Sequence, residues 1–289
     1  MKTLLLIDAH ALIHRFFHAL PPLTSNDGQP TNALFGLAGT LLRILKEEKP
    51  DYIAAAFDRP EPTFRKEAFK EYKIHRAPTA NELISQLQKA REVFDIFKIK
   101  TFEMPSFEAD DLLGTLVERL KNNPALADGK IIILSGDHDV LQLVENDKVL
   151  GQIIKTGMSE TVLYNEGAVE AKYGLKPNLL PDYKGLIGDV SDNIPGVTGV
   201  GPKTAVVLLK DFGTVEEIFE NLAIINPKIA KKLEGQKEIA LMSKKLATIK
   251  RDAPLYLDAI EELRAMPLDR DNLANYFEKM GFKSLIGRL

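Results

Sequence analysis

The chain has 289 residues, a net charge of −3 and no cysteine, with 45% hydrophobic and 27% charged residues. These values suit a soluble globular protein long enough for two cores, and they exclude disulfides and thiolate metal sites. The slight acidity argues against a nucleic-acid binder that works by overall charge, but it allows an acidic centre beside basic patches.

Met1-Lys2-Thr3 leads directly into a strand, and no run is long enough to span a bilayer. Neither a signal peptide nor a membrane span is therefore expected, and a cytoplasmic location is. Residues 3–7 (TLLLI) are too apolar to alternate, so they read as a strand buried on both faces, and it ends in Asp8. A helix over 11–20 carries Arg15 and two histidines, and Pro21-Pro22 stops it. A second helix runs from about Asn32 to Glu48. Tyr52–Phe57 is the next buried strand, and it also ends in an acid, Asp58.

A basic segment, 60–81, follows. It holds Arg65, Lys66, Lys70, Lys73, His75 and Arg76, interleaved with Phe64, Phe69 and Tyr72. One reading is a solvated helix face; the other is a phosphate-contacting segment whose rings stack on bases. Its place directly after a strand-end acid favours the second. A helix over 84–97 and a short strand over 99–102 lead to Ser106-Phe107-Glu108-Ala109-Asp110-Asp111-Leu112-Leu113. Ser106 is a candidate N-cap, and Leu112, Leu113, Leu116, Val117 and Leu120 form an apolar stripe beyond it. A helix N-terminus stabilises each carboxylate by only ~0.3–1 kcal/mol, too little to offset three that converge. The strand 130–134 then ends in Ser135-Gly136-Asp137-His138-Asp139.

Strands alternating with helices imply an α/β fold with a mostly parallel, doubly wound sheet, which binds ligands at the carboxyl ends of its strands. Asp8, Asp58, Asp137 and Asp139 arrive there, with the 108–111 cluster beside them. Converging carboxylates call for a cation, and oxygen ligands with few histidines suit Mg²⁺ or Mn²⁺ rather than zinc.

From about Lys172 helices dominate, giving an α/β unit over 1–172 and a helical unit over 173–289. The stretch 185–205 reads as helix, glycine-rich hairpin, helix, the whole motif lying at about 182–210. It nearly spells a Walker phosphate loop, but Pro202 separates the second glycine from Lys203 and no strand leads in. What remains is a hairpin whose Gly196, Gly199 and Gly201 let backbone N–H groups approach a phosphate, with Lys203 and Thr204 beside them. Asp189 and Asp192 stand just before it. The lysines beyond Phe212 read as a solvated face.

Taken together, LLLID at 4–8, AFD at 56–58, FRKEAFKEYKIHRAPT at 64–79, EADDLL at 108–113, SGDHD at 135–139, GLIGDVSDNIPGVTGVGPKTA at 185–205 and GF at 281–282 span the chain. In these motifs it resembles the 5′-nuclease family of bacterial DNA polymerase I, in the flap endonuclease superfamily. The resemblance implies a PIN-like fold with a helical arch at 60–81 and a helix–hairpin–helix that grips duplex DNA. It implies a first divalent ion on Asp8, Asp58, Glu108, Asp110 and Asp111, the last through bound water. A second would sit on Asp137, Asp139, Asp189 and Asp192. Arg15, Arg65, Lys66, Lys73 and Arg76 would hold the scissile phosphate or the 5′ strand. Lys73 and Arg76 would also stabilise charge in the transition state, and Phe64 and Tyr72 would be arch aromatics. K⁺ is held by hairpin carbonyls in relatives.

The activity implied is two-metal phosphodiester hydrolysis, as a 5′-3′ exonuclease and 5′-flap endonuclease, in primer and flap removal during DNA replication and repair. The implied partners are DNA, RNA–DNA hybrid and a fused or separate polymerase, with the chain itself a monomer. Two departures stand out: Ala9 where the family has Gly, and His138 where it has Lys or Arg. An aspartyl phosphotransferase with Asp8 as nucleophile is disfavoured, because His10 stands where a second Asp is needed. A non-catalytic structure-specific DNA-binding module is disfavoured by the number of acids.

Overall fold

The computed structural model describes residues 1–76, 78–156 and 160–289, so Ala77 of the basic segment lies outside the described residues. Six strands form one sheet: β1 Thr3–Asp8, β2 Tyr52–Ala56, β3 Lys100–Phe102, β4 Lys130–Ser135, β5 Val149–Thr156 and β6 Glu160–Tyr164. The order is β3-β2-β1-β4-β5-β6, all parallel except β6, which runs antiparallel to β5. β2 is buried at every position and β1 at all but its first, which is why neither alternates in sequence. β5 and β6 extend the sheet beyond the strands expected. β6 is short and only partly buried, so it carries little apolar signal.

α1 Ala9–Ala19 and α2 Asn32–Arg43 follow β1; α3 Phe64–Ala68 and α4 Asn81–Ile96 follow β2; α5 Ala109–Leu120 follows β3. Successive side chains of β1 leave on opposite faces of the sheet. Leu5 and Ile7 pack with Leu12, Ile13 and Phe16 of α1 and with α2 and α4, whereas Leu4 and Leu6 pack with Leu112, Leu113 and Leu116 of α5. The helical part comprises α6 Glu166–Tyr173, α7 Leu180–Ile187, α8 Pro202–Phe212, α9 Val215–Glu220, α10 Pro227–Leu233 and α11 Lys237–Ala247. Its own core joins Leu186, Val197, Leu208, Leu209, Ile218 and Leu233.

The chain then returns to the α/β half. Ile249, Leu255 and Leu263 enter the core beneath α5, and Arg264 bridges to Tyr52. Two last helices, α12 Arg270–Lys279 and α13 Lys283–Ile286, send Leu273, Phe277 and Leu285 into the core of α2 and α4. The sequence reading puts 173–289 in one helical unit; by packing, 249–289 belong with the α/β half.

The order of strands reverses at β1, which pairs with β2 on one side and β4 on the other. Asp8 lies opposite Ala56, and Ile7 opposite Leu134. The residues after β1, β2 and β4 therefore open together at the carboxyl edge, at the switch point where such sheets bind ligands.

The helix–hairpin–helix depends on two glycines in the left-handed region. Gly188 (φ 75) and Gly196 (φ 64) meet so closely that a Cβ on Gly196 would lie 2.2 Å from the Gly188 nitrogen. Gly196→Ala is expected to destabilise the fold by about 3 kcal/mol or more. Gly287→Ala, where a Cβ meets nothing within 4 Å, serves as the control and stays within about 0.5 kcal/mol. Urea unfolding of the two variants measures the difference.

Candidate metal centre

Asp8 closes β1 and caps α1: its Oδ1 accepts the Ala11 N–H at 2.9 Å, and Ser135 Oγ donates to its Oδ2 at 2.8 Å. Asp58 lies two residues beyond β2, and its Oδ1 accepts the Ala109 N–H at 2.6 Å. The N-cap of α5 is Glu108, with extended backbone, and not Ser106, which sits at φ 69. Asp8, Asp58, Glu108, Asp110, Asp137 and Asp139 line one cavity of about 210 Å³, with His10, His14, Lys73 and Arg76 on its walls.

Burial dominates the electrostatics. It pushes the Asp8 carboxyl up to about 7, with Asp58 and Asp137 adding repulsion. It pushes Asp110 well above the usual range, and Asp139 up to about 6 with help from Asp137. At Glu108 the same burial is outweighed by Lys73 and Arg65, so its carboxyl falls below the ordinary value. At Asp189 burial is outweighed by Lys184, which holds it at about 2.

The chain's own cations sit among these acids. Lys73 Nζ is 2.9 Å from Glu108, and Arg76 donates to Asp192 at 2.6 Å. Tyr72 is buried and its hydroxyl bridges Glu108 and Asp192, at 3.2 and 3.1 Å. Lys184, on the last turn of α7, donates to both Asp139 and Asp189. Sequence reasoning missed Lys184: it stands five residues before Asp189, but Asp139 lies 45 residues away in the chain. Ser135 was missed as a partner of Asp8 for the same reason, 127 residues apart.

Several expected site residues have other roles. Asp111 does not face the cavity. It is fully buried, pairs with Arg65 through two bonds of 2.7 Å, and also accepts the Lys250 and Glu108 N–H groups at 2.7 and 3.0 Å. All its acceptor capacity is used, so no ion can approach it. Arg65, 1% exposed, also donates to the Leu246 and Thr248 carbonyls at 2.8 and 3.0 Å, which removes it from contact with a substrate. Tyr72 is too buried to stack on a base. Phe64 is half-buried, with Phe107 at 6.0 Å and the Arg65 guanidinium 4.6 Å from its ring centre. Lys66 donates to the Tyr72 carbonyl at 2.9 Å, within the segment. Arg15 donates to the Lys155 carbonyl and lies beside Gly136.

Gly196 is buried, and its N–H donates to Ser243 Oγ at 3.1 Å, so it serves chain packing rather than an open hairpin tip. Gly199, Gly201 and Lys203 are exposed, and Thr204 is half-buried. Two hairpin carbonyls are occupied: Gly199 accepts from Lys232 at 3.0 Å and Thr198 from Gln236 at 3.3 Å.

The donor set suits a hard divalent cation. It is all oxygen apart from the histidines, and Asp110 Oδ1 is buried with no hydrogen-bond partner. Among the described residues, no three His, Asp or Glu side chains stand close enough to hold an ion as arranged here, and Lys73 and Lys184 lie against Glu108, Asp139 and Asp189.

Comparisons with known proteins bear on the family and the fold. A model for the 5′-3′ exonuclease N-terminal resolvase-like domain matches residues 3–174, and one for the 5′-3′ exonuclease C-terminal SAM fold matches 175–271. The chain belongs to the 5′-3′ exonuclease family. This family member is 41% identical to DNA polymerase I of Caldicellulosiruptor bescii over 99% of its length, and 41% identical to that of Bacillus subtilis over 100%. It spans about a third of each, 33% and 32%. A zinc-bound T5 5′-exonuclease shares the fold, with a TM-score of 0.70 at 23% identity, covering 85% of this chain and 89% of the other. The catalytic core of Rad2 in complex with DNA does too, with a TM-score of 0.61 at 17% identity, covering 100% and 93%. No helix among the described residues is long and apolar enough to cross a membrane.

Arg65→Met leaves Asp111 buried without its partner and should cost about 3–5 kcal/mol of stability. Asp111→Asn should lose stability too, yet leave the Mg²⁺ concentration for half-maximal activity unchanged when assayed where it is folded. Asp8 carries a folded pKa of about 7 against an ordinary 3.8. Without divalent ions the native state therefore loses stability as pH rises between these values. Asp8→Asn, which keeps the N-cap, should be roughly 2–4 kcal/mol more stable than the parent at pH 8 and nearly equal below pH ~4. Thermal melts with and without Mg²⁺ check the sign, since Mg²⁺ should stabilise the parent more than the variant.

Proposed function

We propose that the chain hydrolyses phosphodiester bonds as a divalent-metal-dependent 5′-3′ exonuclease and 5′-flap endonuclease. The observation that carries this reading is the single cavity where acids from four chain segments meet, walled by Lys73 and Arg76. Asp8, Asp58, Glu108 and Asp110 would hold one ion, and Asp137, Asp139, Asp189 and Asp192 the other, Mg²⁺ or Mn²⁺ by their oxygen chemistry. Bound there, the ions would supply Lewis acidity toward the phosphate and lower the pKa of a water.

The chain's residues do the positioning. Ser135 and the Ala11 and Ala109 N–H groups orient Asp8 and Asp58. Once Glu108 and Asp192 are neutralised, Lys73 and Arg76 are free to bond to phosphate oxygens and to charge that grows in the transition state. Gly199, Gly201, Lys203 and Thr204, at the start of α8, offer backbone N–H groups and a cation to a duplex phosphate.

DNA with a 5′ flap or 5′ end is the substrate proposed, with RNA–DNA hybrid as a second form. The reading extends to a monomer in the bacterial cytoplasm that works with a polymerase, since the similar proteins are named DNA polymerases. K⁺ at the hairpin would have to share the Gly199 and Thr198 carbonyls with Lys232 and Gln236.

A labelled 5′-flap substrate tests the proposal. The parent should release sized products only with Mg²⁺, and the combined Asp8→Asn and Asp58→Asn variant should release none while still binding the flap in Ca²⁺. Binding by the parent without any Mg²⁺-dependent product would favour a non-catalytic DNA-binding module. Full cleavage by the variant would remove these two ligands from the assignment.

A further inference from the structure

Two turns meet beside the acid cavity, whose wall the first supplies with Lys73 and Arg76. One, Glu71–Arg76, belongs to the basic segment; the other, Asp189–Ile194, leads into the glycine hairpin. The Lys73 N–H donates to the Asp192 carbonyl at 2.8 Å, and the Asn193 side-chain amide donates to the Glu71 carbonyl at 2.8 Å. Lys73 and Asn193 both adopt φ 55. Asparagine tolerates the left-handed region, whereas lysine seldom adopts it, so the backbone of Lys73 is held there by its surroundings. Behind the turns, Tyr72 and Phe69 pack against Ile194, Leu246 and Met242. The outcome is that the Lys73 ammonium reaches Glu108 and the Arg76 guanidinium reaches Asp192.

The Asn193 side chain points away from this chemistry, to a backbone carbonyl two residues before Lys73. We infer that Asn193 is a positioning residue: its amide fixes the turn that presents Lys73 and Arg76 to the scissile phosphate. The inference rests on the reading of those two cations given above. It assigns Asn193 no contact with metal or DNA. What matters is the donor, because glycine and aspartate both tolerate the left-handed backbone yet cannot supply the Nδ2–H bond.

The test uses the full chain and a 5′-flap substrate under single-turnover conditions. Asn193→Gly and Asn193→Asp should each lower the cleavage rate about ten- to a hundredfold. DNA affinity in Ca²⁺, the half-saturating Mg²⁺ concentration and the melting temperature should stay those of the parent. Native trypsin cleavage after Lys70, Lys73 and Arg76 should accelerate in both variants. When Lys73→Ala and Arg76→Ala are already present, Asn193→Gly should cost nothing further, because its effect passes through them. The inference is overturned if Asn193→Gly cleaves at the parent rate, if trypsin sees no change in the turn, or if the loss is as large in the Lys73→Ala, Arg76→Ala background. The last result would mean that Asn193 acts through Asp192 or through folding. A Lys73→Ala, Arg76→Ala variant that cleaves at the parent rate would instead overturn the reading on which the inference rests.

Discussion

Six carboxylates face one cavity at the carboxyl edge of a parallel sheet, and the cost of holding their charges together out of water is the constraint to which the rest of the site responds. The fold creates the problem by reversing strand order at β1, which brings the ends of β1, β2 and β4 together. It answers in two ways. Burial raises Asp8, Asp110 and Asp139 toward neutrality. Lys73 and Lys184 hold Glu108 and Asp189 below the ordinary carboxylate value, and Arg76 pairs with Asp192. Lys73 and Arg76 line the cavity itself, where under the proposed reading they would meet a phosphate. The compensation that stabilises the free protein is thus made of groups that suit the reaction.

The Arg65–Asp111 pair ties this centre to the rest of the chain. Arg65 binds carbonyls at the end of α11, and Asp111 accepts the Lys250 N–H. The strand of chain from Leu246 to Ala253 is held further by Gln142, which receives the Ile249 N–H at 2.9 Å, and by Thr115, which receives the Ala253 N–H at 3.0 Å. The basic segment, the start of α5 and the end of the helical part are therefore one connected structure. A buried pair of this kind costs much when broken from one side, which explains why one carboxylate of the EADD cluster serves the fold while its neighbours face the cavity.

Local chemistry was legible because it is written in short runs. Buried parallel strands read as continuous apolar runs, and each delivered an acid at its end. The glycine hairpin was readable because left-handed and tightly packed backbone demands glycine. β6 was not readable, since a partly solvated edge strand carries little apolar signal, and in β5 Gly151 and Gln152 interrupt the run although Val149, Leu150, Ile153 and Ile154 are buried. The return of 249–289 to the first core was also hidden, because an amphipathic helix such as α12 shows an apolar face without naming the surface it covers.

The sequence by itself determined the fold class, the edge of the sheet where the acids gather, and the oxygen-rich chemistry that suits a hard cation. Only the tertiary structure decided what each polar group does there. Asp111 and Arg65 became a buried pair, Tyr72 a bridge, Gly196 a packing point, and Lys184 and Ser135 partners of acids. The physical reason is distance along the chain. A strand end or a tight turn depends on a few consecutive residues, whereas whether a carboxylate meets an arginine, a lysine or open cavity depends on segments that folding alone brings together.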